Sequence, residues 1–187
     1  MTLPLKILVL ETAAVCNLRC NHCVHGLGLL PPRGQPYLDL ALLYRVLGQI
    51  GQVETCYPAL WGEPALHPQL LEILSAIRSH ATSVTLTTNG VAVDARLAVG
   101  IVRLVDRVVV GIPAATAATY LSICKVDRFD AALHGLQLLA ADFQVVERLR
   151  RPERQPVRSV KVAHACCAYD VGNKLVPAAV PRVNKWA

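Results

Sequence analysis

Charge is scarce in this 187-residue chain: 17% of its residues are charged, against about 25% in a typical globular sequence. Aromatic residues are scarcer still, at 5%, with five Tyr, two Phe and two Trp, and there is a single Met. Hydrophobic residues make up 53%. This excludes a disordered chain, which cannot bury enough apolar surface to offset its ordering entropy. It matches neither a coiled coil nor a collagen repeat. Long apolar runs are also missing. The longest uncharged stretch, Val108 to Cys124, is interrupted by Gly111 and Pro113 and is built mostly from small residues. A membrane span needs ~20 mainly apolar residues. The opening MTLPLKILVLETAAVC has no charged region ahead of a long apolar one and no convincing cleavage site. No signal peptide, no membrane partner and a cytoplasmic location are expected, despite a mean hydropathy of +0.40.

The net charge is +6. Much of it lies in a basic linker, 148–158, where Arg148, Arg150, Arg151, Arg154 and Arg158 sit among glutamates and prolines. No aromatic residue interleaves these arginines, so the run reads as a solvated linker and nucleic acid is not an expected partner. The seven cysteines are odd in number and not accompanied by secretion signals, which argues against a disulfide framework and for metal or redox ligands where they cluster.

Short β-rich runs alternate with helical patterns, which predicts an α/β fold with a parallel sheet. Strands are expected at Lys6 to Glu11, Val53 to Leu60, Ser83 to Thr87 and Val105 to Ile112, with a fifth at Phe143 to Val146. The fourth is nearly all apolar and reads as covered on both faces. Helices are expected from Asp39 to Ile50, after Pro68, from Asp94 to Leu104, from Ala114 to Ile123 and from Phe129 to Ala141. Beyond the linker, Val157–Val162, Cys166-Cys167 and Asp170-Val171-Gly172-Asn173 read as two short strands around a turn, not as another βα unit.

Directly after the first strand, Cys16-Asn17-Leu18-Arg19-Cys20-Asn21-His22-Cys23 has the spacing C-x3-C-x2-C. Four sulfur ligands would close a structural zinc or cluster site; three leave one coordination position for a ligand. The carboxyl ends of strands are where parallel α/β folds place active sites. The competing reading is a zinc knuckle that adds His25 or His22, but it leaves the motifs that follow unexplained. Cys56 and Cys124, each alone in an apolar context, read as buried small hydrophobes, His67 as a turn or capping residue, and His80 and His134 as surface or packing residues.

This loop resembles the signature of the radical S-adenosylmethionine (radical SAM) family. Gly62-Glu63-Pro64 at the end of the second strand is similar to the family's GGE motif, with Trp61 in place of the first glycine. Leu66-His67-Pro68 and Thr88-Asn89-Gly90 follow in family order. The resemblance covers roughly residues 6 to 141. It implies a partial (βα) barrel spanning 1–147 and two cofactors, a [4Fe–4S] cluster and S-adenosyl-L-methionine (SAM). Cys16, Cys20 and Cys23 would ligate three irons. Gly62, Glu63 and Pro64 would hold the methionine end of SAM, Glu63 through its ammonium. His22 would pack near the adenine, Asn89 would line the ribose, and Lys125 or Arg128 could take the carboxylate. One-electron cleavage of SAM would give a 5′-deoxyadenosyl radical that abstracts hydrogen from a peptide or small-molecule substrate, with flavodoxin or ferredoxin as electron donor. No catalytic side chain is assigned beyond the cluster. Residues 159–187 resemble a short SPASM or twitch remnant, a β-hairpin-like extension whose Cys166 and Cys167 are expected to be unliganded. Because the βα units look short, the alternative is a truncated or inactive iron–sulfur or zinc protein that retains the motif.

Overall fold

The fold was analysed in a computed structural model that describes residues 5–31, 34–149, 159–163 and 168–170, the last three stretches (142–149, 159–163, 168–170) as backbone only. Strands β1 (Ile7–Val9), β2 (Val53–Tyr57), β3 (Ala81–Thr88), β4 (Arg107–Gly111), β5 (Ser159–Ala163) and β6 (Ala168–Asp170) form one six-stranded sheet in chain order. The first five are parallel, and β6 turns back antiparallel to β5.

Helices α1 (Leu40–Ile50), α2 (Leu70–Arg78), α3 (Ala95–Leu104), α4 (Ala117–Cys124) and α5 (Phe129–Leu149) make the crossovers. The predicted caps are present: Asp39 accepts from Leu42 N at 2.9 Å and Asp94 from Leu97 N at 2.7 Å, each filling an orphan donor of a first turn. Apolar residues on one stripe of each helix, among them Leu43, Leu47, Ile73, Ile77, Ile101 and Val102, are fully buried against the sheet. From the sheet, Cys56, Val84, Leu86, Val108 and Val110 meet them at 0% exposure.

Alternate residues point the other way. Ile7, Val9 and Tyr57 on that face are exposed. The expectation that β4 is covered on both faces is therefore corrected: Val108 and Val110 are buried while Arg107, Val109 and Gly111 are only half-buried. This one-sided covering is the geometry of a partial barrel, whose second face is its concave interior.

Two further expectations are overturned. Phe143 to Val146 is not a strand, because α5 runs through it to Leu149. No Gly or Pro interrupts the chain between Gly135 and Pro152, so nothing stops the helix. The strand that follows α5 is β5, and its parallel register with β4 (Val108 opposite Val160) makes it another βα unit of the same sheet. The antiparallel β5–β6 pair does form two short strands around a turn. Cys166, Cys167 and residues 150–158 of the linker lie outside the described residues.

Candidate active site

The chain leaving β1 is pinned where it passes the end of β2. Thr12, fully buried, donates its hydroxyl to Pro58 O at 2.9 Å, and Leu10 N donates to Tyr57 O at 2.9 Å. The cysteine loop follows. Cys16, Cys20 and Cys23 are all half-buried free thiols. Gly26 folds the loop back on itself: a methyl on it would collide with the backbone of Cys20. Sequence reasoning missed Gly26, because glycines needed for close approach carry no spacing signal.

Trp61-Gly62-Glu63 packs directly on the segment before Cys16. Glu63 N donates to Val15 O at 2.8 Å. A methyl on Gly62 would collide with the Ala13 carbonyl and press on that of Val15. The close approach that requires glycine here is thus to the β1 exit, where the sequence suggested an approach to SAM. Gly62→Ala is expected to separate the two segments. Overpacking costs ~1–3 kcal/mol, occasionally more, and the obstructing atoms here are backbone. A lower Tm together with reduced iron retention is the expected result; a fully loaded variant melting like the parent would contradict this role.

Glu63 is buried at 3% exposure and satisfied by three donors. Its Oε1 accepts from Ala65 N at 2.9 Å and from Thr88 Oγ1 at 2.6 Å, and its Oε2 from Asn89 N at 2.6 Å. One carboxylate therefore joins the ends of β2 and β3. Burial pushes its pKa up from the ordinary 4.5, and the three hydrogen bonds only partly oppose this. Among the described residues no cation pairs with it. Pro64 opens the short 3-10 turn Pro64–Leu66, which Glu63 caps. His67 beyond it is a buried turn residue, as expected: its Nδ1 accepts from Gln69 N and its Nε2 donates to Leu38 O, each at 2.9 Å.

Asn89 bridges the remaining parts. Its side-chain Nδ2 donates to Asn17 Oδ1 at 2.7 Å and to Cys16 Sγ at 3.7 Å. Leu18 N donates to the same sulfur at 3.4 Å. Cys16, Glu63 and Asn89 are thus one hydrogen-bonded unit at the carboxyl ends of the strands. A family model, the radical SAM superfamily, matches residues 10–147.

The chain belongs to the radical SAM superfamily.

Relatives include the mycofactocin maturase MftC of Mycobacterium tuberculosis, 29% identical over 134 residues. The GTP 3′,8-cyclase of Mycobacterium marinum is 33% identical over 129 residues. These matches cover 70% and 65% of this chain but 33% and 35% of the relatives, so the chain spans about a third of their length. The structure of BtrN in complex with AdoMet and 2-DOIA is similar in fold, with a TM-score of 0.58 at 16% identity over 88% of this chain and 58% of that one. The partial (βα) barrel read from the motifs is the fold of the superfamily, and its cofactors are the expected [4Fe–4S] cluster and SAM. Among the described residues no helix is long and apolar enough to cross a membrane.

The donor set suits such a cluster. One zinc at 2.3 Å from each sulfur would draw the thiolates to ~3.8 Å apart, whereas a four-iron cluster binds them at separate corners. Among the described residues no three His, Cys, Asp or Glu side chains are gathered to hold a single ion. Burial pushes the Cys16 thiol up, and pushes Cys20 up to about 12. Iron held by these cysteines would keep them deprotonated, so cluster loading would release protons. The two N–H groups aimed at Cys16 Sγ favour a thiolate there.

Other expected residues lie at the periphery. His22 is exposed, with Nδ1 3.4 Å from Asn21 Oδ1. Lys125 is exposed and caps α4 in the left-handed region at φ 59°, and Arg128 is also exposed. Cys56 and Cys124 are fully buried, as expected. Cys124, however, is not among apolar groups alone. It ends α4 beneath the cysteine loop: Arg19 N donates to Cys124 O at 3.0 Å and Asn21 N to Ile123 O at 2.9 Å. Its thiol contacts that of Cys20 and the Tyr120 hydroxyl, which is buried without a nitrogen or oxygen partner. No sequence spacing links position 124 to the loop; only the fold brings them together.

Proposed function

We propose that the chain is a radical SAM enzyme that abstracts hydrogen from a peptide or small-metabolite substrate. The observation that carries this reading is the unit of Cys16, Glu63 and Asn89, which ties a three-cysteine loop to a buried carboxylate lacking a cation. Cys16, Cys20 and Cys23 would hold the cluster. When bound, the cluster and SAM supply one-electron cleavage of the C5′–S bond and thereby a 5′-deoxyadenosyl radical.

The chain's own residues bind and orient. Glu63 offers its remaining Oε2 lone pair and its charge to the ammonium of SAM, which offsets the desolvation of the carboxylate. Gly62 and Pro64 fix Glu63 between the two strand ends. His22, on the exposed side of the loop, would cover the adenine. Asn89 holds Glu63 in line with the cysteine loop, and the concave face beyond β1 and β2 receives the substrate. A small redox protein such as flavodoxin or ferredoxin supplies the electron. The matched relatives are named for maturation of mycofactocin and for cyclising GTP, so both substrate classes stay within the proposal. The expected domain limits, a core over 1–147, a basic linker over 148–158 and a short extension over 159–187, take one change within this proposal: α5 runs to Leu149 and β5 pairs with β4, so both belong to the core sheet unit.

The test is direct. Anaerobically purified protein should be brown, with broad absorption near ~400 nm, and should release 5′-deoxyadenosine when given SAM and dithionite. A brown protein that releases none would be a binding protein that has kept the motif without the reaction. A colourless protein that holds zinc would overturn both.

A further inference from the structure

We propose that Asn89 sets the reduction potential of the cluster by donating its side-chain amide to the sulfur of Cys16, an inference that rests on the cluster reading above. The sequence suggested a contact with ribose for this residue; its hydrogen bonds point elsewhere. Asn89 follows β3 in the turn Thr88-Asn89-Gly90, where Gly90 adopts φ 79° and is buried. Its backbone N–H is held by Glu63 Oε2 at 2.6 Å. Its Oδ1 accepts from Val91 N at 3.0 Å, which fixes the oxygen end of the amide. The two hydrogens on Nδ2 are thereby turned toward the cysteine loop. One goes to Asn17 Oδ1 at 2.7 Å and the other to Cys16 Sγ at 3.7 Å.

Among the described residues Asn89 is the one side-chain amide hydrogen-bonded to a sulfur of the loop. Reduction adds negative charge to an iron–sulfur cluster, and this charge spreads onto the ligating sulfurs. An N–H donor on such a sulfur stabilises the reduced state more than the oxidised one and raises the potential. The donor here is aimed by residues on three segments: Asn17 in the loop, Glu63 after β2 and Val91 after β3. It is consequently pre-positioned, with no ordering needed when the electron arrives. Asn89 acts through Cys16 and is a positioning residue.

The experiment is an anaerobic redox titration of the cluster-loaded full chain, monitored by electron paramagnetic resonance without SAM. In Asn89→Ala the ratio of reduced to oxidised cluster at a fixed potential should fall about tenfold, a negative shift of ~59 mV for one electron. Asn89→Asp keeps the oxygen that caps Val91 N, so the turn persists, but it places an anionic acceptor beside Cys16. It should shift the potential further in the same direction. Asn17→Ala removes only the aiming partner and should give a smaller shift of the same sign. A purely structural role would change iron retention and leave the potential of the retained clusters unmoved. Iron-loaded Asn89→Ala with the parent potential would overturn the inference, as would Asn89→Asp with an unchanged or higher one. Parent protein that holds no cluster would instead overturn the proposed function.

Discussion

Replacing Cys16, Cys20 and Cys23 together with alanine is expected to strip the chain of all its iron. The parent should carry one cluster and about four irons. Each single replacement should already prevent stable retention, since it leaves an iron without its protein ligand in a half-buried, water-accessible loop. Cys124 contacts Cys20 from the buried side, but it is anchored at the end of α4 and is not expected to take over as a ligand. The triple variant should still fold, because the loop's attachments to α4 and β2 run through backbone groups of Arg19, Asn21 and Glu63. Iron analysis and visible absorption on anaerobically reconstituted protein decide the matter. The same count tests the tail. Beyond Cys166 and Cys167 the extension offers no further cysteine in 168–187, so a complete auxiliary ligand set is not expected. A parent near eight irons, or a cluster signal surviving in the triple variant, would show an auxiliary site in the extension.

Glu63→Gln should leave the iron count near the parent value and weaken SAM binding by roughly 10- to 150-fold. That range corresponds to losing a charge-assisted hydrogen bond worth ~1.5–3 kcal/mol. The structure adds a second reason for the loss. If the glutamine oxygen keeps Ala65 N and Thr88 Oγ1, its amino group replaces the Oε2 that now accepts from Asn89 N at 2.6 Å, and two donors face each other. Anaerobic calorimetry reads the affinity; an unchanged value would remove Glu63 from the site. The raised pKa of Glu63 also predicts a pH dependence. The folded state favours its protonated form more than the unfolded chain does, so this group's contribution is fully present below 4.5 and is lost as pH rises through the raised folded value. Without SAM, thermal stability should fall over that window. Saturating SAM should flatten the slope by placing an ammonium beside the carboxylate, and Glu63→Gln should abolish it. A ligand-free slope identical in parent and variant would contradict the assignment.

Much of the fold was legible because local signals agreed with the global one. Asp39 and Asp94 announce helix starts, and the alternation of strands and helices announces a parallel sheet. The errors arose where short-range signals were silent. Val145 and Val146 suit a strand as well as a helix, and only the absence of a breaker before Pro152 favours the helix. The apolar run of β4 suggested two buried faces, yet a barrel interior can be apolar and still open to solvent. At the site, the cysteine spacing and the Gly-Glu pair were readable because chemistry dictates those residue types. What each residue touches was not. The steric need for Gly62 faces Ala13, Asn89 faces Cys16, and Cys124 sits under Cys20. These contacts join positions between 49 and 104 residues apart, a separation that no motif records.

The strand order, which is also the chain order, has a consequence for synthesis. As the polypeptide leaves the ribosome, each parallel strand finds its neighbour already made, so the sheet can grow from β1 without waiting for a distant partner. The cysteine loop fares differently. It is translated ahead of everything that steadies it: Glu63 after β2, Asn89 after β3, and finally the carbonyls of Ile123 and Cys124 at the end of α4. A nascent chain from which Ile123 and Cys124 have not yet emerged would display thiols without their scaffold. Metal delivery is therefore timed by translation itself: the loop becomes a competent receiver only once α4 has emerged.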